Sequence, residues 1–157
     1  RIEGDFESIH GGKFRMAIYV NTIAYAEHIA LVKGDVTLGG PVPVRMHSLN
    51  VLDDVLGDAA TGKAEDLHQA MRLIGDEGCG VVVLIREPHR AALSDRMRAR
   101  LEKTKPEGGE LRDYGVGAQI LLDLGVKEMV LLSNTRRTII GLEGWGLKVT
   151  GQRPIRP

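Results

Sequence analysis

One uninterrupted apolar run, residues 80–85, constrains the fold of this 157-residue chain more than any other feature. Six residues reading Gly-Val-Val-Val-Leu-Ile are typical of a strand that is covered on both faces, as in a parallel sheet. Helical patterns flank the run. The apolar positions before it recur at helical spacing, at Leu67, Ala70, Met71 and Ile74, and residues 91–103 after it return to helical composition. Helices on either side of a buried strand indicate an α/β layer.

The first third of the chain contains strand-like segments alone. Three of them, residues 14–20, 28–33 and 42–48, are separated by Gly, Asp and Pro, and we expect an antiparallel meander there, preceded by a linker or tail over 1–12. Toward the C-terminus the patterns predict a helix over 114–124, strands over 129–133 and 147–150, and a short helix over 140–146. The predicted fold is a single α/β domain over 1–157, with N-terminal antiparallel strands followed by alternating helices and strands on a mainly parallel sheet.

Composition excludes several classes of protein. Twenty-one basic residues balance twenty-one acidic ones, so the chain lacks the charge expected of a nucleic-acid binder. No apolar stretch predicts a membrane segment or a signal peptide, and we expect a cytoplasmic protein. The start at Arg1 suggests a piece of a longer polypeptide. The single cysteine, Cys79, permits neither an internal disulfide nor a metal site with several thiolates.

Few residues suggest chemistry by themselves. His47 with Asp53 and Asp54 is a conceivable metal cluster, although a strand-end histidine bonded to the backbone is the preferred interpretation. Arginines near strand ends would suit a phosphorylated ligand, but pairing with acids on a solvated face is favoured over that use: Arg45, Arg86, Arg90, Arg112, Arg136 and Arg137.

Five separated segments closely resemble GTP cyclohydrolase II, an enzyme of riboflavin biosynthesis. In chain order they are residues 27–35, 43–48, 112–126, 131–134 and 141–147. The resemblance spans about residues 14 to 155. It implies an α/β homodimer that in many bacteria is fused to a 3,4-dihydroxy-2-butanone 4-phosphate synthase.

This chain differs most from the family at the positions of the family's metal site. The resemblance implies zinc held by three cysteine thiolates, which activates water to open the guanine ring and release formate and pyrophosphate. Those three positions fall on Asn50, Thr61 and Lys63, none of which supplies a thiolate. We therefore expect no metal ligands and no cofactor.

Other positions of the family's site carry over residue by residue. The catalytic acid, arginine and tyrosine correspond to Glu110, Arg112 and Tyr114, which we interpret as vestigial. The nucleotide-binding positions implied by the resemblance are Arg45, His47, Ser48, Arg86, Glu87, Ser133, Asn134 and Arg137. In the loop at residues 86–89, a glycine of the family is replaced by Pro88, which has no backbone N–H to offer a phosphate.

Three functions remain open at this stage. The favoured hypothesis is a cyclohydrolase-like domain that no longer opens GTP and that supports or regulates a fused dihydroxybutanone phosphate synthase. An active GTP cyclohydrolase II would need His47, Asp53 or Asp54 to hold a harder metal. The third is a module that senses a nucleotide or a flavin-pathway metabolite.

Overall fold

The structure is a computed structural model that describes residues 2–22, 26–86, 92–103, 110–133, 143 and 146–155, with side chains from residue 93 in the third helix and from residue 115 in the fourth. The strands are β1 (Ile2–Ser8), β2 (Gly12–Asn21), β3 (Ala26–Lys33), β4 (Val42–Ser48), β5 (Gly80–Ile85), β6 (Glu128–Leu132) and β7 (Lys148–Arg153). The helices are α1 (Val51–Asp54), α2 (Asp66–Glu77), α3 (Ala92–Glu102) and α4 (Glu110–Asp123).

The described strands form one sheet in the order β1-β2-β3-β5-β4-β6-β7. The pairs β1–β2, β2–β3 and β3–β5 are antiparallel, whereas β5, β4, β6 and β7 run parallel to one another. This arrangement confirms the predicted fold class. It corrects the expected meander, because β5 lies between β3 and β4. The helix α2 carries the chain from β4 back to the start of a parallel neighbour, and β5 then fills the position beside β3.

Residues 2–8 form a strand, where the sequence pattern predicted a linker or tail. β1 pairs with β2 over its whole length, from Ile2 opposite Ile18 to Ser8 opposite Gly12. Gly11 at the end of the turn and Gly12 at the start of β2 have φ values of 91° and 87°, which favour glycine. The signal for this strand is weak, because its apolar residues Ile2 and Phe6 are exposed and alternate with acids. Alternation with period two was the available clue.

The core lies on both faces of the central strands. Val81 and Val83 of β5 belong to an apolar cluster with Leu121 of α4, whereas Val82 between them packs in a second cluster with Ile74 of α2. Successive residues of a strand point to opposite faces, so α4 and α2 cover the two faces of the sheet. The prediction of a strand buried on both faces at residues 80–85 is confirmed.

Candidate functional site

The carboxyl ends of the parallel strands meet at one edge of the sheet, where ligands of open α/β sheets bind. The amide of Leu49, just after β4, donates to the carbonyl of Ile85 at the end of β5, at 2.8 Å. Arg45 Nη1 donates to the carbonyl of Leu132 at the end of β6, at 3.2 Å. Ser133 follows Leu132 directly, so the structure brings Arg45, the end of β4 and Ser133 together at this edge.

His47 is buried and bonds to side chains rather than to the backbone, which corrects the preferred interpretation of this residue. Arg45 Nη2 lies 3.1 Å from Nδ1, and an arginine can donate only, so Nδ1 accepts. Nε2 then carries the hydrogen and donates to the Asp54 carboxylate, at 2.9 and 3.0 Å from its two oxygens. The three side chains form a chain in which the carboxylate orients the imidazole.

The Asp54 carboxylate is held in its charged form. Burial raises its pKa, but the hydrogen bond from His47 and that from the Asn50 amide outweigh burial and keep the pKa below its ordinary value. The Asn50 amide donates to Oδ2 at 2.9 Å. An anion beside His47, with the Arg45 guanidinium on the other side of the ring, gives this end of β4 a fixed pattern of charge.

A second network surrounds Asp53, the neighbour of Asp54 on α1. Asn50 Nδ2 donates to Asp53 Oδ2 at 3.0 Å, and the Thr61 hydroxyl donates to the other carboxylate oxygen. The backbone amide of Lys63 donates to the Thr61 hydroxyl at 3.3 Å. Asn50 also caps α1, since its side-chain oxygen accepts from the Leu52 amide. Two of the three positions that the resemblance assigns to thiolates, Asn50 and Thr61, are thus joined through the buried Asp53 carboxylate, and the third, Lys63, is linked to Thr61 by its backbone amide.

These residues do not fit a zinc ion. Zinc in proteins is bound by thiolate sulfur, imidazole nitrogen or carboxylate oxygen, whereas Asn50, Thr61 and Lys63 offer an amide, a hydroxyl and an ammonium. Both oxygens of Asp53 already accept hydrogen bonds. Among the residues whose placement is described, no group of three or more His, Cys, Asp or Glu side chains could hold a metal ion.

Other predicted residues lie at the same edge in different roles. The backbone amide of Arg86 donates to Nδ1 of the buried His28, at 3.0 Å. Burial and the nearby Arg86 lower the pKa of His28. Ser133 is buried, and its amide donates to the Arg153 carbonyl, which joins β6 to β7. Ser48 is exposed at the end of β4.

Part of the predicted site lies outside what the structure describes. Glu110, Arg112 and Tyr114 belong to the first turns of α4, but their side chains are outside the described part. Glu87, Asn134 and Arg137 lie outside the described residues, as do Arg90, Arg136 and most of the helix predicted over 140–146. These assignments stay predictions.

The sequence analysis did not predict the helix α1, nor that its residues Asp53 and Asp54 would bond to two different networks. Asn50 followed by two acids at Asp53 and Asp54 is the pattern of an N-cap with acids in the first turn, so a signal was present. The arginines of α3 were also missed. Arg96 donates to the Leu49 carbonyl at 3.2 Å and Arg100 pairs with Asp58. Helix α3 therefore contacts both ends of the segment 49–58, which contains α1.

Comparison with known proteins agrees with this architecture. The family model for GTP cyclohydrolase II matches residues 1–154. The riboflavin biosynthesis protein RibBA of Bacillus mycoides is 40% identical over 159 residues, covering 92% of this chain and 40% of the relative. The protein of the same name from Bacillus cytotoxicus is 38% identical with the same coverage. The chain thus spans about two fifths of the length of these relatives.

A solved structure gives the same result for the fold. The crystal structure of RibBX, a two domain 3,4-dihydroxy-2-butanone 4-phosphate synthase from A. baumannii, matches with a TM-score of 0.58 and 27% identity. The match covers 98% of this chain and 39% of that one.

No helix in the described ranges is both long and apolar enough to cross a membrane. The family match extends through β1, beyond the segments that carry the resemblance, and the chain belongs to the GTP cyclohydrolase II family.

Proposed function

We propose that this chain is a GTP cyclohydrolase II domain that does not open GTP with zinc and that supports or regulates a 3,4-dihydroxy-2-butanone 4-phosphate synthase. One observation carries the proposal. The positions assigned to the zinc thiolates hold Asn50, Thr61 and Lys63, and the first two bond to Asp53 instead of presenting free ligands.

The chemistry of these side chains argues against a weakened zinc site. Affinity for zinc depends on anionic, deprotonated ligands, and the three thiolate positions supply no negative charge. Lys63 adds a positive charge, which opposes binding of a dication. Without the metal, the chain has no group at these positions that lowers the pKa of water and so generates hydroxide at neutral pH.

The partner is inferred from proteins that this chain resembles. RibBX is titled a two domain 3,4-dihydroxy-2-butanone 4-phosphate synthase, and the match covers 39% of its chain. A protein that contains this fold is thus named for synthase activity alone. A supporting role for the present chain, within a riboflavin biosynthesis protein of the cytoplasm, accords with that title and with the donor set at positions 50, 61 and 63.

The metal experiment measures zinc content and formate release from GTP. The purified chain is dialysed against zinc, and bound metal is quantified together with formate. We expect neither. A variant carrying Asn50→Cys, Thr61→Cys and Lys63→Cys is the matched control, because it restores the ligand types and shows that the assay detects a bound zinc ion. Stoichiometric zinc with formate release by the unmodified chain would overturn the proposal in favour of an active cyclohydrolase.

The supporting role is tested on the synthase. Turnover and thermal midpoint of a dihydroxybutanone phosphate synthase are compared with and without this chain joined to it. We expect the joined form to have a higher midpoint or a changed turnover number. Identical values in both forms would show that the chain neither supports nor regulates the synthase.

A binding function is a second candidate, favoured by the convergence of Arg45, His47 and Ser133 at the carboxyl edge of the parallel strands. GTP, GDP, flavin mononucleotide and pyrophosphate are tested for a rise in thermal midpoint. Arg86→Ala, which removes an exposed cation at this edge, should reduce such a rise. Arg15→Ala removes an exposed cation from β2 and should not. No rise with any of these ligands excludes their binding.

A further inference from the structure

The turn between β1 and β2, residues 9–11, packs directly against helix α2. Gly11 lies so close to Gly75 of α2 that a methyl group added at Gly75 would lie 2.7 Å from the Gly11 Cα atom. Lys33 of β3 donates to the Gly11 carbonyl from the neighbouring strand. This contact joins the hairpin at one edge of the sheet to the helix that covers one of its faces.

Two histidines belong to the same contact. His10, next to Gly11 in the turn, stacks on His68 of α2, with 3.7 Å between the ring centroids and 9° between the ring planes. Arg72, four residues after His68 on the same helix face, places Nη2 3.1 Å from His10 Nδ1. A guanidinium can only donate, so Nδ1 accepts and His10 is neutral, with its hydrogen on Nε2. The observed contact therefore requires the uncharged form of His10.

The groups around His10 oppose its protonation. The Arg72 guanidinium and the His68 ring face it from α2, and the Lys33 ammonium of β3 lies at the Gly11 carbonyl. The Glu65 carboxylate, just before α2, favours a proton on His10 but has the weakest effect. The pKa of His10 is therefore below its ordinary value of 6.5, because the docked ring is partly shielded from water and because His68 and Arg72 repel a second positive charge.

His68 differs from His10 in its neighbours. Its Nδ1 lies 3.4 Å from the Glu65 carboxylate, and the Asp54 carboxylate of α1 also attracts a charged His68 ring. A proton on His68 is thus compensated by two anions. A proton on His10 would instead break the hydrogen bond from Arg72 and place one cation beside another. Acid therefore acts on this contact through His10.

We propose that His10 is a pH switch, whose neutral ring holds the β1–β2 turn on α2 and whose protonation releases the turn. The rest of the sheet keeps its own supports, because β2 pairs with β3 from residue 15 onward and Phe14 is buried in the core. The docked turn binds the proton less readily than the released turn. Docking is therefore complete above pH 6.5 and is lost as the pH falls through the lowered pKa of His10. This inference does not depend on whether the chain binds zinc or assists a synthase.

The first test follows the unmodified chain by NMR while the pH is lowered from about 8 to about 5. The ring protons of His10 report its protonation, and the nuclear Overhauser effect between the α protons of Gly11 and Gly75 reports the docked turn. We expect His10 to titrate below pH 6.5 and the glycine contact to disappear with it. The ratio of docked to released turn should fall about tenfold for each pH unit over which only the released turn is protonated. Circular dichroism verifies that the chain remains folded.

The second test uses variants to separate His10 from other effects of acid. His10→Asn supplies an oxygen that can accept from Arg72 but does not titrate, so a turn docked at pH 8 should stay docked at pH 5. Arg72→Met removes the opposing cation and should raise the pKa of His10, so that release occurs at higher pH. Arg98→Met is the matched control, because Arg98 forms its ion pair within α3 and should leave the titration of His10 unchanged.

Each outcome decides the proposal. A contact between Gly11 and Gly75 that persists after His10 is protonated overturns it, as does a His10 that titrates at or above pH 6.5. Acid release of the turn in His10→Asn would place the effect at another group and also overturn it. A His10→Asn turn that is undocked already at pH 8 supports the proposal, because the ring is then what holds the turn. None of these measurements involves GTP, zinc or synthase activity, so failure here leaves the proposed function standing.

Discussion

Two polar networks flank α1, and they differ in their relation to the family. At the end of β4, Arg45 and His47 belong to a segment that resembles GTP cyclohydrolase II, and they bond to Asp54. On the other side, Asn50 and Thr61 stand where the resemblance places thiolates, and they bond to Asp53. Consecutive carboxylates on one short helix thus serve the two sides. The difference suggests that hydrogen bonds can hold this segment where the resemblance implies a metal.

The largest expected effect concerns the network of Arg45, His47 and Asp54 at the end of β4, which we call the β4 side. Asp54→Ala should lower the free energy of unfolding by about 3 kcal/mol, because the buried Nε2–H of His47 and the Asn50 amide would both lose their charged acceptor. Urea unfolding measures the change. Asp54→Asn keeps an acceptor for His47 Nε2 and should lose less. If Asp54→Ala cost less than the same change at Asp53, the ranking of the two networks would be reversed.

The next effect concerns the network of Asn50, Thr61 and Asp53, which we call the replaced side because the resemblance places thiolates at positions 50 and 61. Asp53→Ala should cost about 2 kcal/mol, since the Asn50 amide group and the Thr61 hydroxyl would lose their charged acceptor. The same unfolding experiment applies. Asp76→Ala, on the exposed face of α2, is the control and should leave stability unchanged within error. An Asp53→Ala variant as stable as the control would show that hydrogen bonds do not hold this segment.

The two sides also differ in how far sequence could predict them. The position of β4 was predicted from its sequence pattern. The apolar run at residues 80–85 predicted that β5 is buried on both faces, because such a strand has few polar residues. The partners of His47 did not follow. Asp54 is seven residues away across a turn, and a side chain's choice between backbone and carboxylate depends on geometry that spacing does not encode.

The same limit explains the other errors. β1 exposes almost all of its residues, so it carries little hydrophobic contrast, and the order of β3, β5 and β4 depends on pairing between distant segments. The sequence pattern predicted the helix α3, but it did not predict that Leu93, Met97 and Leu101 of this helix would be exposed. Its orientation is set by Arg96 and Arg100, whose partners lie some forty residues earlier.

Acid should affect the β4 side through Asp54. The pKa of Asp54 is lower in the folded chain than its ordinary value of 3.8, so the unfolded chain takes up the proton more readily. The stability that this carboxylate contributes is fully present above pH 3.8 and is lost as the pH falls through the folded pKa. Thermal midpoints between pH 6 and pH 2 should therefore fall more steeply for the unmodified chain than for Asp54→Asn. Parallel curves would contradict the assigned charge.

The smallest effect isolates one hydrogen bond of the replaced side. Thr61→Val preserves shape and removes the hydroxyl that donates to Asp53, and we expect a loss of about 1 kcal/mol in urea unfolding. Thr37→Val is the matched control, since Thr37 donates to Asp35 in an exposed loop and its removal should leave the midpoint unchanged.

A double-mutant cycle then decides whether Thr61 acts through Asp53. In an Asp53→Ala background the acceptor is already absent, so Thr61→Val should cost almost nothing, and the two changes should be clearly non-additive. Additive losses would mean that Thr61 stabilises the segment independently of the carboxylate. The replaced side would then be a set of separate contacts, and Asp53 would not be the group that joins positions 50 and 61.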